Sequence, residues 1–370
     1  MSDASAQYPA FIGIGAARAG TTWISTSLSR HPGVWIPRIK ELHYFTRSAK
    51  YFGPSQLQDG TLLQRLFSRQ KGFWKYRSRV ARALASNLAR PSLAKLRWDG
   101  KYLLGRPGDQ WYARLFAQGA GKVTGEITPR YGVLDRDDIS ALKALMSDVK
   151  IIYVMRDPVD RAWSLIKYHE KKQGRPISDL PADALIERAF HQGVVEQSDY
   201  EGILERWRSV FPREQMLELF YDEIVESPDA VLARLLSFLG LDPAHLESAT
   251  CSNARVNPSF DKDIPAEFAK ALAAHYLPML CRLSDREGSY FTRWFERNGG
   301  QPQWHSIKPA PVAVGGPGTS RWERPPGREW ERASTDRVLA AQQWQREDNA
   351  PVADRFAARG RSYTAPTDRF

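Results

Sequence analysis

The run Phe11 to Trp23, FIGIGAARAGTTW, passes from an apolar strand-like stretch into a glycine loop and then into a helical pattern. Gly15 and Gly20 enclose four residues, and Thr21 and Thr22 open the helix that follows. A loop of this form aims backbone N–H groups and the positive end of a helix at a phosphate. The nucleotide-hydrolase version, G-x-x-x-x-G-K-[ST], sets a lysine on the β and γ phosphates. Here Thr21 occupies the lysine position, and a cation, Arg18, sits inside the loop. A nucleoside triphosphate then lacks a main neutralising group, so a donor with fewer phosphates is the better fit.

Outward from this loop the apolar pattern alternates between strand and helix periods. Strands are predicted at 11–15, 34–36, 122–127, 150–155 and 216–220. Helices are predicted through about residue 29, at 139–146, 158–171 and 200–210, and from Ser227-Pro228 to Gly240. Ser as N-cap, Pro inside the start and Gly past the end define that last helix. Residues 62–88 read as helical from Leu62, Leu66, Phe73, Val80, Leu84 and Leu88. Strands alternating with helices predict an α/β protein, a three-layer P-loop NTPase-like fold with a central parallel sheet flanked by helices. Ligands of such sheets bind at the carboxyl ends of the strands, where the 15–20 loop lies.

With 370 residues, 42% of them hydrophobic, the chain can bury one large α/β core. We read residues 1–300 as one domain with a basic helical insertion at 54–108. Residues 301–370, with the Pro/Gly-rich PAPVAVGGPGTSRWERPPG, read as a C-terminal tail, partly disordered or wrapped on the surface. No apolar run approaches the roughly 18 residues of a membrane span. MSDASAQYPA has no basic and apolar segments of a secretory signal, so a cytoplasmic location is expected. Cys251 and Cys281 are the only cysteines, too few for a disulfide framework. The seven histidines form no ligand-spaced pair, and no metal is expected. The net charge of +11 is concentrated: residues 54–108 hold twelve Lys or Arg against Asp59 and Asp99. Such a field implies an acidic partner.

A second constellation is Met155-Arg156-Asp157-Pro158-Val159-Asp160-Arg161-Ala162-Trp163-Ser164. It sets Arg156 at the end of a buried strand and Ser164 two turns into the next helix, where a guanidinium and a hydroxyl can meet one phosphate. The plainer reading is an Arg156–Asp160 pair beside a capped helix.

Together the two stretches resemble the sulfotransferases that use 3′-phosphoadenosine 5′-phosphosulfate (PAPS). In that family a G-x-x-[K/R]-x-G-T-T loop holds the 5′-phosphosulfate and an R-D-P-x-x-R-x-x-S segment holds the 3′-phosphate. GAARAGTTW and RDPVDRAWS match both, in order. The resemblance implies donor contacts from Arg18, Ala19, Gly20, Thr21 and Thr22, an adenine face from Trp23, and 3′-phosphate contacts from Arg156 and Ser164. Lys40-Glu41-Leu42-His43-Tyr44-Phe45 resembles the E-x-H-F-F stretch of bacterial and heparan-sulfate-type glycan members, whose glutamate is the catalytic base. Gly125-Glu126-Ile127-Thr128-Pro129-Arg130-Tyr131 resembles their E-K-T-P-x-Y stretch. Asn253-Ala254-Arg255-Val256-Asn257-Pro258 resembles the loop closing over the nucleotide, with Arg255 on phosphate. The resemblance covers about residues 10–295. The family lysine of E-K-T-P is Ile127 here, which leaves Arg130 or Lys40 as candidates for that charge.

The implied activity is transfer of a sulfuryl group from PAPS to a hydroxyl or amine of a carbohydrate or glycolipid, releasing adenosine 3′,5′-bisphosphate. Glu41 is the candidate base, His43 its substitute, and Lys40 and Arg18 the charges beside the transferred group. Expected partners are a carbohydrate or lipid-linked anionic acceptor, and a membrane surface met peripherally through 62–106. No specific nucleic acid is expected, because no reading motif accompanies the charge. Two other classes stay open on the residues alone: a P-loop kinase or NTPase with an altered loop, and a non-catalytic basic protein that binds membrane or nucleic acid.

Overall fold

Strand β1 (Phe11–Gly15) is buried at all five positions, as a continuous apolar run implies for a strand covered on both faces. The computed structural model describes residues 7–48, 50–51, 62–67, 73–89, 91–243 and 264–300. With β2 (Val34–Trp35), β3 (Val123–Ile127), β4 (Lys150–Met155) and β5 (Met216–Phe220), β1 forms a parallel sheet in the order β2-β3-β1-β4-β5. The chain leaves β1 for one side of the sheet, fills β2 and β3 there, and only then crosses to β4. β1 is therefore the strand at which the winding direction reverses, and a crevice opens at its carboxyl end. Phe11 pairs with Lys150 and Gly13 with Ile152, but Gly15 pairs with Tyr153, so the register slips just before the loop.

Helices flank this sheet. In chain order they are α1 (Thr21–Arg30), α2 (Leu62–Phe67), α3 (Phe73–Ala89), α4 (Leu93–Leu104), α5 (Asp109–Arg114), α6 (Arg136–Leu145) and α7 (Pro158–Lys172). Then follow α8 (Ala182–Ala189), α9 (Gln192–Val195), α10 (Tyr200–Arg208), α11 (Tyr221–Glu226), α12 (Pro228–Leu239), α13 (Ala266–Glu287) and α14 (Ser289–Arg297). Pro158 opens α7, where a missing N–H costs nothing, and the Asp157 carboxylate caps it by accepting from Val159 N at 2.9 Å and Asp160 N at 3.1 Å. Gly240 ends α12 in the left-handed conformation. Ser227 stands at the N-cap of α12, but its hydroxyl makes no capping bond, so Pro228 and the acidic first turn define that start.

Several elements differ from the sequence reading, among them α6, which begins at Arg136, and the short helices α5, α8, α9 and α11, which it does not assign. β2 ends at Trp35 rather than at residue 36. Sequence reading assigns nothing to 264–300, where α13 runs for 22 residues with Pro278 inside it. α13 packs against α7, α8, α10 and α14, and that burial outweighs the single lost hydrogen bond.

The basic segment is helical in α2, α3 and α4 and is anchored by aromatics. Trp98 and Tyr102 stack with centroids 5.2 Å apart, and Trp98 Nε1 donates to the Leu115 carbonyl at 2.9 Å. Arg65 is buried and donates to the carbonyls of Gly105 and Leu103. Arg38 Nη1 donates to both Asp99 carboxylate oxygens, at 2.7 and 2.8 Å, tying α4 to the stretch after β2. No helix among the described residues is long and apolar enough to cross a membrane. The region 301–370 lies outside the described residues.

Candidate functional site

The loop after β1 takes a backbone that side chains would obstruct. Gly15 has φ 149°, and a Cβ there would sit 2.9 Å from the Pro129 carbonyl oxygen. Gly20 has φ 95°, and a Cβ would meet Ile224 Cδ1 at 3.1 Å. Arg18 itself lies in the left-handed region at φ 69°. The first intrahelical bond of α1 runs from Ile24 N to the Gly20 carbonyl at 3.2 Å. Thr21, Thr22 and Trp23 thus form a helical first turn whose N–H groups have no acceptor within the helix. Ala19 adds no donor of its own, because its N–H goes to the Ala16 carbonyl at 3.2 Å.

The strand ends bring the second constellation to this loop. Arg18 Nε donates to Ser164 Oγ at 3.1 Å, and Arg156 Nη1 donates to the Arg18 carbonyl at 3.1 Å. Arg156 lies 4.5 Å over the Tyr221 ring, and its carbonyl accepts from the buried Tyr200 hydroxyl. The charge of Arg156 acts on Asp160, and its side chain also reaches the Arg18 carbonyl and the Tyr221 ring. Asp160 pairs with Arg297 at 3.3 Å, and Asp157 with the same guanidinium at 2.6 Å. Burial, then the neighbouring charge of Asp157, raises the Asp160 pKa. Burial, then the charge of Arg156, lowers that of Arg18. Two guanidinium groups held this close repel one another and favour an anion that both can reach.

Lys40 completes the loop's charge from outside it. Its Nζ donates to Thr21 Oγ1 at 3.3 Å and Thr22 Oγ1 at 3.2 Å. An ammonium therefore stands beside Thr21, supplied not by the loop but by the stretch after β2. Burial lowers the Lys40 pKa, and Arg18 adds to this against the opposing pull of Glu41.

Glu41 lies next to that ammonium, Oε1 at 3.9 Å from Lys40 Nζ and Oε2 at 3.4 Å from His43 Nε2. Its side chain is 43% exposed, so an incoming molecule can reach the carboxylate. Burial pushes its pKa up, but the His43 hydrogen bond and the charges of His43, Lys40 and Arg79 outweigh burial and hold it below the ordinary value. Glu41 is thus ionised at neutral pH. His43 contacts Thr46 Oγ1 at 3.3 Å through Nδ1 and faces Glu41 through Nε2. It is placed to orient Glu41.

A buried carboxylate sets the Glu41 stretch on the sheet. Glu126 is fully buried on β3 and accepts from Tyr112 Oη at 2.5 Å, Thr128 Oγ1 at 2.8 Å, Tyr131 Oη at 3.1 Å and Leu42 N at 3.3 Å. Tyr131 Oη also accepts from Tyr44 N at 2.8 Å. Burial raises the Glu126 pKa against the lowering effect of its hydrogen bonds. In the sequence alone Glu126 and Tyr131 carry no assigned chemistry. The signal was the G-E-x-T-P-x-Y stretch, but which backbone it holds is a long-range fact.

Three other candidates resolve differently. Ile127 is buried, and Arg130 is taken by an ion pair with Glu196, so of the two substitutes for the family lysine only Lys40 reaches the loop. Trp23 is 8% exposed, comparable to Thr21 and Arg156 in the same site, and packs in the core. Arg255 lies outside the described residues. Among the described residues no group of three His, Cys, Asp or Glu is placed to hold a metal.

A family model described as "Sulfotransferase family" matches residues 9–245. Heparan sulfate glucosamine 3-O-sulfotransferase 3B1 of Mus musculus is 35% identical over 143 residues, covering 36% of this chain and 35% of that protein. Bifunctional heparan sulfate N-deacetylase/N-sulfotransferase 2 of Homo sapiens is 28% identical over 139 residues, covering 35% of this chain and 14% of that protein. The chain thus spans about a third or less of the length of these relatives. A solved sulfotransferase from Alicyclobacillus acidocaldarius superposes with a TM-score of 0.52 at 21% identity, covering 77% of this chain and 98% of that one, a likeness of fold.

Proposed function

The chain belongs to the sulfotransferase family, and on that premise we propose that it moves a sulfuryl group from PAPS to a hydroxyl or amine of a carbohydrate or glycolipid acceptor. The observation that carries this reading is the joining of two anion subsites. Arg18, in the loop after β1, binds Ser164, and Arg156, at the end of β4, binds the Arg18 carbonyl. In this reading the β1–α1 loop works as a P-loop, and a donor with phosphates on the 3′ and 5′ oxygens of one ribose is what such a pair suits.

The donor set fits. Arg18, Lys40, the hydroxyls of Thr21 and Thr22 and the first turn of α1 surround one position, and Arg156 with Ser164 lie beside it. PAPS supplies, when bound, a sulfuryl group on a bisphosphate leaving group. Sulfuryl transfer is an in-line displacement in which positioning and charge stabilisation carry the catalysis. Glu41 takes the acceptor proton as the acceptor oxygen or nitrogen bonds to sulfur and the bond from sulfur to the 5′-phosphate oxygen breaks. Lys40 and Arg18 stabilise the negative charge that collects on that oxygen. His43 holds the Glu41 carboxylate in position, and Glu126 holds the backbone that carries it. We read the acceptor as a glycan of the heparan-sulfate type, on the likeness to the relatives above.

The test is transfer of labelled sulfate from PAPS to a panel of sulfated and unsulfated glycans and glycolipids. Transfer to at least one carbohydrate is expected. Magnesium-dependent ATP turnover with no sulfate transfer would return the site to the kinase or NTPase class.

A further inference from the structure

We propose that the tip of the α3–α4 hairpin is a docking surface for an anionic lipid bilayer. Leu84 and Leu88 stand one turn apart on α3, at 57% and 82% exposed. Leu93 and Leu96 open α4 just beyond the connection, at 73% and 52% exposed. Lys95 Nζ donates to the Ser86 carbonyl at 2.6 Å, which draws the two helices together at this end. Four large apolar side chains are thus exposed on the last turns of α3 and the first turn of α4, a costly arrangement for a surface that faces only water.

The charge around this tip says what covers it. From Gly60 to Trp98 the chain has no Asp or Glu. Asp99, the next acid, is already paired with Arg38. Arg97 on α4 is exposed one turn from Leu93, and Arg82 on α3 is exposed with its guanidinium on Ser78. A second copy of this chain would bring the same positive charge against it. An anionic polysaccharide would meet the arginines, but it has no apolar surface for the leucines. A bilayer with anionic headgroups satisfies both, with the leucines at the acyl boundary and the basic side chains at the phosphates. Arg79, whose charge acts on Glu41, precedes Leu88 by nine residues, roughly 14 Å along the helix axis. Lipid at the tip therefore lies one short helix from the carboxylate.

The experiment is co-sedimentation of the full chain with vesicles of phosphatidylcholine alone and of phosphatidylcholine mixed with phosphatidylglycerol, at low and high salt. Binding to the mixed vesicles alone is expected, weakened by salt. A variant with Leu84→Ser, Leu88→Ser, Leu93→Ser and Leu96→Ser, and a second with Arg82→Gln and Arg97→Gln, should each lose on the order of tenfold in partitioning. Thermal stabilisation by adenosine 3′,5′-bisphosphate in both variants reports that the fold and donor site are intact, so failure here is separate from failure of the proposed reaction. Equal binding to neutral and mixed vesicles, or undiminished binding by the serine variant, overturns the proposal. So does a serine variant that only converts a dimer to a monomer while neither protein binds vesicles.

Discussion

Arg156 Nη1 donates to the carbonyl oxygen of Arg18 across 3.1 Å, although 138 positions separate them in the chain. The contact exists because β1 and β4 are parallel neighbours, so their carboxyl ends emerge side by side. It anchors the Arg156 guanidinium on the main chain of the loop that carries Arg18, so the two anion subsites are tied together at their shared edge.

This coupling predicts discrimination between nucleotides. Adenosine 3′,5′-bisphosphate at a hundred times its dissociation constant should stabilise the protein by about 2.7 kcal/mol, and AMP at equal concentration by much less. Arg156→Gln should weaken the bisphosphate by about tenfold to a hundredfold, the worth of a hydrogen bond to a charged group, and leave AMP nearly unchanged. Thermal shifts with both nucleotides check this; equal shifts in the unaltered protein would remove the second subsite.

Glu41→Gln should lower kcat by about 10²–10⁴-fold while the bisphosphate still binds. The Glu41 pKa is held below its usual value, so the base stays ionised through neutral pH and the rate should fall only as pH drops below the ordinary carboxylate range. His43→Ala removes the hydrogen bond to the carboxylate and should move that acidic limb to higher pH. Steady-state rates against pH separate the two variants.

Lys40 links donor binding to protons. Its pKa is lowered in the free protein by burial and Arg18, and a bound phosphate acts to raise it again. At pH values between the free and bound pKa, below and around the usual lysine value, binding should take up a proton and affinity should fall as pH rises. Calorimetric titration with the bisphosphate in buffers of different ionisation enthalpy measures the uptake. Lys40→Met should abolish it.

Glu126→Gln places an amide N–H₂ among four donors, leaving at least one without an acceptor in a fully buried site. A stability loss of about 1–3 kcal/mol is expected in denaturant unfolding. Because the folded pKa of Glu126 is raised by burial, ionising it costs the native state. Its contribution should therefore rise as pH falls from the folded value toward the ordinary one, and the Gln variant should lose that slope.

Gly20→Ala forces a Cβ against Ile224 and Tyr221 at a positive φ. A loss of about 1–2 kcal/mol is expected, with a weakened response to the bisphosphate because the first turn of α1 must shift. Unfolding curves with and without the nucleotide test both parts.

Much of this site is legible along the chain because its signals are local. β1, β4 and β5 begin and end where the apolar runs do, and Asp157-Pro158 and Gly240 mark helix ends by their own backbone chemistry. α13 escaped the reading because Pro278 breaks its local pattern and its stability comes from the helices around it. Arg130 looked as good a charge donor as Lys40 for the same reason: its partner, Glu196, is distant in sequence.

By itself, the sequence determined that a glycine loop with an internal arginine follows a buried strand, and that an arginine and a serine follow another. Apolar periodicity, glycine and proline carry that information within a few residues. Only the tertiary structure decided which cations gather there and which carboxylate is left to act. Lys40 reaches Thr21 and Thr22, Arg130 is spent on Glu196, Trp23 turns into the core, and Glu126 is consumed in holding the Glu41 stretch. Charge and burial depend on which distant groups the sheet order brings together, and no local pattern encodes that order.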